Sequence, residues 1–432
     1  MAGWCRLKCE SRAGTQDHMV LDSIIAVVGL GYVGAPLALA LAKHFEVIGF
    51  DIDSGRIQAL RSGFDTHTQE YFTPPKSLHY SNACQDLSRA SVFIIAVPTP
   101  IFADKTPDLT HLQQASQIIG SVLKRGDLIV YESTTYPFCT RYYCAEILQK
   151  VSGLTLDRDF FIGYSPERIN PGDTRHTLRT ITKIIAASTP SAIDRLRAVY
   201  GKVVDSLHIA PSIEIAEMSK LIENAQRDLN IAFVNEVAMM CDRLGLSASA
   251  VLEAAKSKWN FLPFSPGLVG GHCISVDPYY LCYMLERCAY KPKVLSMGRL
   301  VNEQMPAFLA RKIHALALDS GLAVRASRVL LLGLSFKENC RDMRNSKTPI
   351  LRKKLKKRGF KVKVYDPLID TKEAKRMFGF NPLKSLEDKK FDIIVLLNAH
   401  QEFVNLDLRQ YANPVHIVFD MKNVLPYATH RL

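Results

Sequence analysis

The chain has 432 residues, 47% of them hydrophobic and 22% charged, which excludes a wholly disordered, collagen-like or low-complexity protein and leaves room for roughly two to four domains. The 55 Lys and Arg outnumber the 42 Asp and Glu by 13; read as spread along the chain, that excess suits an acidic substrate, nucleic acid or an anionic membrane surface and chooses none of them. Ten cysteines without a CxxC pair or zinc-site spacing, and a first stretch of 18 residues without an apolar leader, point to a reduced, cytoplasmic protein with no metal centre.

Residues 1–21 show no helical or strand periodicity and read as a disordered extension. Ile24 to Ala42 carries no charge, but Gly29, Gly31, Gly34 and Pro36 make it a buried strand followed by a buried helix, and no membrane insertion is expected. Strands are predicted at Ser23–Val28, Glu46–Asp51, Ser91–Val97, Asp127–Tyr131 and Phe160–Tyr164, with helices between them. That alternation predicts a parallel, doubly wound sheet over residues 22–208. Pro211 to Leu244 reads as one long helix with an apolar stripe at Ile215, Met218, Ile222, Ala225 and Leu229. It opens a central helical domain over 209–320. The stripe is longer than one α/β unit can cover, so a homodimer built on this region is expected. A second α/β unit over 321–432 has strands at Arg328–Leu334, Lys361–Asp366, Phe391–Leu397 and His416–Asp420 and a helix at Thr348–Arg358. The fold class is therefore α/β: two Rossmann-like doubly wound parallel-sheet domains joined by a long central helix and a helical dimerisation domain.

Gly29-Leu30-Gly31-Tyr32-Val33-Gly34 lies between a strand and a helix, where its glycines allow a tight turn, close approach of a pyrophosphate and close helix packing. Asp51 ends the next strand, placed to bind a ribose diol and to repel a 2′-phosphate, so NAD is favoured over NADP, although Arg56 is near enough to weaken that reading. The second α/β unit lacks GxGxxG, so it is expected to bind something other than a dinucleotide. Cys273, in GLVGGHCISVDPYY, follows two glycines that leave its sulfur uncrowded; it reads equally as a nucleophile and as a buried structural cysteine. Lys220 and Asn224 share a helix face away from the apolar stripe, and a solvated polar face is the more ordinary reading of them. Glu167 follows a strand at the carboxyl edge, where such sheets place ligands. Lys337, Arg341 and Arg344 follow the first strand of the second unit and either hold a diphosphate or solvate the turn.

Taken together and in order, GLGYVG, VPTP, YESTTYP, YSPERINPGD, EMSKLIENAQRDLN, GGHCISVDPYYL and LSFKENCRDMRNS resemble the nucleotide-sugar 6-dehydrogenases over roughly residues 22–432, and SKWNFLPF with PGLVGGHCI resembles their UDP-N-acetylhexosamine branch. The resemblance implies oxidation of C6 of a UDP-sugar from alcohol to carboxylate by two NAD in succession, for surface polysaccharide synthesis. UDP-N-acetylglucosamine is the favoured substrate, and UDP-N-acetylgalactosamine or UDP-glucose the alternatives. It assigns Cys273 as nucleophile, Lys220 and Asp277 to proton handling and the oxyanion, Asn224 to the oxyanion and sugar, Thr134 to cofactor and water, and Glu167 to the substrate loop. Tyr32, Val33, Asp51, Arg56, Pro98, Thr99 and Thr134 match cofactor contacts, while Arg168, Gly270, Phe336, Lys337 and Lys422 match substrate contacts. The sequence departs from relatives at Pro171, Val276 and Ser265, and YESTTYP leaves Thr134 and Thr135 interchangeable by one position. A one-step alcohol dehydrogenase with a structural Cys273, and a sugar-nucleotide binding protein without turnover, are the competing readings. Nucleic-acid binding is disfavoured because no recognised motif is present.

Overall fold

The computed structural model describes residues 23–168 and 177–432; the expected N-terminal extension and Pro171 lie outside the described residues. The chain divides into two compact units, one running to Leu221 and the other from Ile222 to Leu432.

The first unit is built on an eight-stranded sheet. Its strands and the helices used below are β1 (Ile25–Val28), α1 (Gly34–Leu41), β2 (Val47–Phe50), β3 (Leu78–Ser81), β4 (Val92–Ile95), β5 (Leu128–Tyr131), β6 (Phe161–Tyr164), β7 (Thr182–Ala187), α2 (Pro190–Tyr200) and β8 (Ser206–Ile209). The strand order is β8-β7-β6-β5-β4-β1-β2-β3, and every pairing is parallel except β6 with β7. β1 reads IAVV and is buried throughout, as a strand covered on both faces must be. Helices on the two faces enclose two apolar cores. The chain leaves β1 for β2 on one side and returns to β4 on the other, so the strand order reverses at the carboxyl end of β1, where Gly29–Gly34 sits. Each strand read from the sequence is present, trimmed at its ends. β3, β7 and β8 were not read, because LHYS, TKIIAA and SLHI carry polar residues that break an apolar run.

A buried charge cluster closes the carboxyl edge of this sheet. Glu132, just past β5, and Lys183, on β7, pair at 3.1 Å with both side chains fully buried. Tyr200, on α2, donates its hydroxyl to Glu132 Oε1 at 2.5 Å. Burial pushes the Glu132 carboxyl up, and the Lys183 ammonium opposes that rise.

Helix α3 (Ile213–Leu244) is continuous for 32 residues and crosses the boundary between the units. It is oriented against the ordinary reading of its polar residues. Glu217, Lys220, Asp228 and Asn235 are buried, whereas Ile215, Met218 and Ile222 of the apolar stripe are exposed. The face carrying Lys220 is therefore an inward face and not a solvated one. Its polar groups can be inward because each finds a partner, as the site geometry shows.

The second unit continues through α4 (Asp277–Arg287), α5 (Lys293–Asp319), β9 (Arg328–Leu332), α6 (Thr348–Lys357), β10 (Lys361–Tyr365), α7 (Thr371–Phe378), β11 (Phe391–Leu396), β12 (Ala412–Asp420) and β13 (His430–Arg431). Its sheet is parallel throughout in the order β10-β9-β11-β12-β13. Met305, Phe308, Leu309 and Ile313 of α5 join the core on one face of this sheet. Charge is distributed unevenly: residues 321–432 hold 23 basic and 11 acidic side chains, so twelve of the thirteen net charges fall there and the excess is not spread along the chain.

Removing one member of a buried ion pair leaves a charge without compensation, a change that costs about 3–5 kcal/mol. Lys183→Met is therefore expected to lower stability toward urea by about that amount, while Lys183→Met with Glu132→Leu recovers most of the loss. Equal loss in the single and double variants would show that the pair is not what holds this edge.

Candidate active site

The turn after β1 is shaped for a dinucleotide. Gly29 has φ +93°, and a Cβ there would lie 2.9 Å from the Ala96 carbonyl oxygen. A Cβ on Gly34 would lie 1.8 Å from the Gly29 oxygen, so helix and turn meet only because that residue is glycine. A Cβ on Gly31 would meet nothing within 4 Å, leaving an open cradle above the amino end of α1 that fits a pyrophosphate. Tyr32 and Val33 complete the turn, and the Tyr32 ring stacks on His67 at 4.8 Å. Asp51, half-buried, accepts the Leu30 N–H at 2.8 Å and the Asp53 N–H at 3.0 Å. Arg56 does not point at a phosphate subsite. It is buried, its Nε donating to the Leu30 carbonyl at 2.9 Å and its Nη1 to Asp65 at 2.7 Å. Its burial, at 6% exposure, keeps that guanidinium from a 2′-phosphate, so the repulsion by Asp51 stands.

Pro98 and Thr99 lie just past β4, and Ser133 past β5 ties that strand end to the Val97 carbonyl at 2.7 Å. The two threonines of YESTTYP have different surroundings. Thr135 is fully buried and donates to Glu217 Oε1 at 2.9 Å, while Thr134 is half-buried. Glu217 also accepts the N–H groups of Phe138 at 2.7 Å and Thr140 at 2.9 Å. Burial raises its pKa to about 7, against the pull of those donors. One turn on, the Lys220 ammonium donates to the Glu167 carbonyl oxygen at 2.7 Å. Arg168 donates to the Thr182 carbonyl at 2.7 Å, which fastens the same loop to β7.

In the second unit Asn224 donates to Asp277 Oδ2 at 2.6 Å, and Asp277, at the amino end of α4, is buried. Four residues earlier Cys273 is partly exposed, and its carbonyl accepts the Val276 and Asp277 N–H groups. Gly270 and Gly271 are required by contact with the loop after β9. A Cβ on Gly270 would lie 2.9 Å from the Asn345 oxygen, and one on Gly271, at φ +86°, 2.8 Å from the Phe336 ring. Phe336 is thus a wall of the cysteine loop, with the His272 ring edge-on to it at 6.1 Å. Lys337 lies over Phe336, its Nζ 5.6 Å from the ring centre, and Lys422, past β12, pairs with Glu338 at 3.6 Å. Arg344 is held by Asp342 at 2.6 Å, and Arg341 is exposed. Val276 is buried and Ser265 exposed.

The turn of the second sheet differs from the first. Asp366 occupies the position of Asp51, but its Oδ2 accepts Leu334 and Ser335 N–H and faces His400 at 3.2 Å, while Oδ1 accepts Leu368 N–H. Asp366 is buried, and the His400 ring covers it on the side where Asp51 is open.

Three family models cover most of the chain: the NAD binding domain of the UDP-glucose/GDP-mannose dehydrogenase family at residues 23–204, its central domain at 214–304 and its UDP binding domain at 330–427. The chain belongs to this family. It is 44% identical to a UDP-N-acetyl-D-glucosamine 6-dehydrogenase of Salmonella typhi over 93% of its own length and 96% of that protein. It is also 44% identical to an enzyme of the same name from Pseudomonas aeruginosa, over 94% and 97%. The solved structure of a UDP-D-ManNAc dehydrogenase from Pyrococcus horikoshii superposes with a TM-score of 0.83 at 29% identity, over 94% of this chain and 98% of that one. The family makes the protein an NAD-dependent nucleotide-sugar dehydrogenase, and the glycine turn fits that cofactor. Among the described residues no helix is long and apolar enough to cross a membrane.

Sequence reasoning missed His272 and Asp342. Burial lowers the pKa of the His272 imidazole and the Arg344 cation adds to that, but the Asp342 carboxylate and the Cys273 thiol outweigh both and raise it to about 9. Asp342 itself is held well below the usual carboxylate range. The His272 ring is hydrogen-bonded to the Cys273 side chain. The two residues lie 70 positions apart, so only the histidine next to the cysteine could have drawn attention.

His272→Gln is expected to slow alkylation of Cys273 by iodoacetamide several-fold at pH 7, read as modified peptide by mass spectrometry; an unchanged rate would remove the imidazole from the chemistry. Because the folded pKa lies above the ordinary 6.5, this group stabilises the fold fully below that value, and its contribution is lost as pH rises through about 9.

Proposed function

We propose that the protein oxidises C6 of a UDP-N-acetylhexosamine, UDP-N-acetylglucosamine first among them, to the uronic acid in two steps of two electrons each. The observation that carries this reading is the partly exposed Cys273 beside a histidine held cationic by Asp342. The names borne by relatives at 44% identity support the choice of sugar nucleotide. NAD, held by Gly29–Gly34 and Asp51 with Pro98, Thr99 and Thr134 alongside, serves as two-electron acceptor and is used twice. Cys273 acts between those uses. Its sulfur adds to the C6 aldehyde to give a thiohemiacetal, whose oxidation leaves a thioester; water then releases the carboxylate and returns the thiol. Lys220, Asp277 and Asn224 serve the proton and the oxyanion, and Glu167 and Arg168 the substrate loop. Gly270, Phe336, Lys337 and Lys422 serve the UDP moiety. The carboxylate fits a place in the supply of acidic sugars for surface polysaccharide, and a cytoplasmic setting keeps the thiol reduced.

The test is the NADH yield at 340 nm with UDP-N-acetylglucosamine, UDP-N-acetylgalactosamine and UDP-glucose. Two NADH per sugar are expected, with the first substrate preferred. Cys273→Ser should lose several orders of magnitude in steady-state turnover and accumulate a covalent sugar adduct visible by mass. Near-normal uronate production by that variant would return Cys273 to a structural role.

We further propose a homodimer on α3. Ile215, Met218, Ile222, Phe233 and Met240 are all exposed on one helix, a larger apolar display than a lone chain ordinarily leaves in water. Sedimentation at micromolar concentration should give a dimer, and Met218→Asp with Ile222→Asp a monomer; a wild-type monomer would count against it.

A further inference from the structure

A cavity of about 790 Å³ lies in the second unit between α6 and the end of α7. Arg352, Lys353, Lys354, Lys356 and Lys357 line it, with Phe378 and Phe380 as its floor. The surrounding segment, residues 347–380, holds twelve basic and three acidic side chains, so it supplies nine of the thirteen net charges. Among the described residues only Lys347 of these twelve is in an ion pair, to Glu303 at 2.7 Å. The basic groups nearer the cysteine loop are otherwise arranged: Arg344 and Lys422 each face a carboxylate. Holding so many like charges together without partners costs folding energy through self-repulsion, and eight of the eleven lie on two short helices. Ile350 and Met377 are exposed at the rim, 39% and 40% respectively.

We propose that this face docks the protein on an anionic membrane leaflet through lipid phosphates, with Ile350 and Met377 entering the headgroup layer. A small nucleotide would satisfy two or three of the cations; only an extended array of phosphates matches the five that line the cavity together. Single-stranded nucleic acid also presents such an array, but it is bound by stacking its bases on open aromatic faces. Phe380 is covered by the Arg352 guanidinium at 4.1 Å, and Phe378 packs against Phe380 with ring centres 6.1 Å apart. What the rim offers is aliphatic, as suits a lipid interface. Clusters of four to eight Lys and Arg of this kind give roughly fivefold in membrane affinity per cation near the surface.

The full-length protein should co-sediment with vesicles containing about one-third phosphatidylglycerol and not with pure phosphatidylcholine vesicles, and it should be released at high salt. Replacing Lys353, Lys354, Lys356 and Lys357 by Gln should weaken the first binding at least a hundredfold while leaving NADH production unchanged. Ile350→Ser with Met377→Ser keeps every charge and should weaken it by a smaller factor. Equal binding to neutral vesicles, or full binding by the folded quadruple variant, would overturn the proposal. So would tight binding of single-stranded RNA or polyphosphate at these lysines without vesicle binding. Should the quadruple variant fail to fold, the lipid and salt dependence of the wild type decides alone.

Discussion

The constraint on which most else depends is that α3 turns its polar side inward. A buried polar group without a partner costs about 1–3 kcal/mol, and a whole domain is stable by only about 5–15 kcal/mol. The buried Glu217, Lys220, Asp228 and Asn235, left unpaired, would together consume much of that margin, and the half-buried Asn224 would add to it. Each is paired: the partners of Asp228 lie on α5, and the others have partners in loops that bear chemistry or brace one. Within the first unit Glu217 takes three donors from the segment after β5, and Lys220 fixes the Glu167 carbonyl. Within the second, Asn224 fixes Asp277, and Asp228 binds Arg299 at 2.6 Å and Asn302 at 2.7 Å. Asn235 then takes the Gly267 N–H at 2.8 Å, at the start of the cysteine loop. The polar groups of the helix could not be buried without those partners, and the inward polar face leaves Ile215, Met218 and Ile222 of the apolar stripe outside.

The two sheets show how one local pattern is put to different use. Both place an aspartate at the end of the second strand of a β-turn-α-β unit, and in both it accepts N–H groups from the turn. In the first, Asp51 is half-buried beside glycines that leave an open cradle. In the second, His400 is added to the shell of a buried Asp366. The aspartate reinforces its own turn in either case; whether it can also serve a ligand depends on what else reaches it.

The parts of the fold legible in the sequence were those governed by local chemistry. Runs such as IAVV, VFII and FDIIVL admit only a buried strand, and the glycine spacing admits only a tight turn into a helix. Polar strands such as SLHI were not legible, since their stability comes from pairing with β7. The periodicity of α3 told which residues share a face, but not which face is inward, because that depends on partners as distant as Gly267 and Asn302. For the site, Cys273, Asp51 and the glycines stand out by type and position. Arg56 shows the converse: near in sequence to a phosphate subsite, it is spent on Leu30 and Asp65. The charge was legible and was lost by averaging it over 432 residues.

That distribution separates two kinds of cation. Outside residues 321–432 the chain has 32 basic and 31 acidic side chains, so that part is close to neutral. Within 321–432 three cations near the cysteine loop are paired: Arg344 with Asp342, Lys347 with Glu303, Lys422 with Glu338. A paired cation is held in one geometry and contributes little long-range field, which suits recognition of a diphosphate at a fixed place. Among the described residues the cations of α6 and α7 are in no ion pair, which suits attraction of an extended anionic surface over about a Debye length, roughly 8 Å at physiological salt. The same residue types thus act at short range where carboxylates restrain them and at long range where nothing does, and it is the placement of a few acidic partners that divides the two.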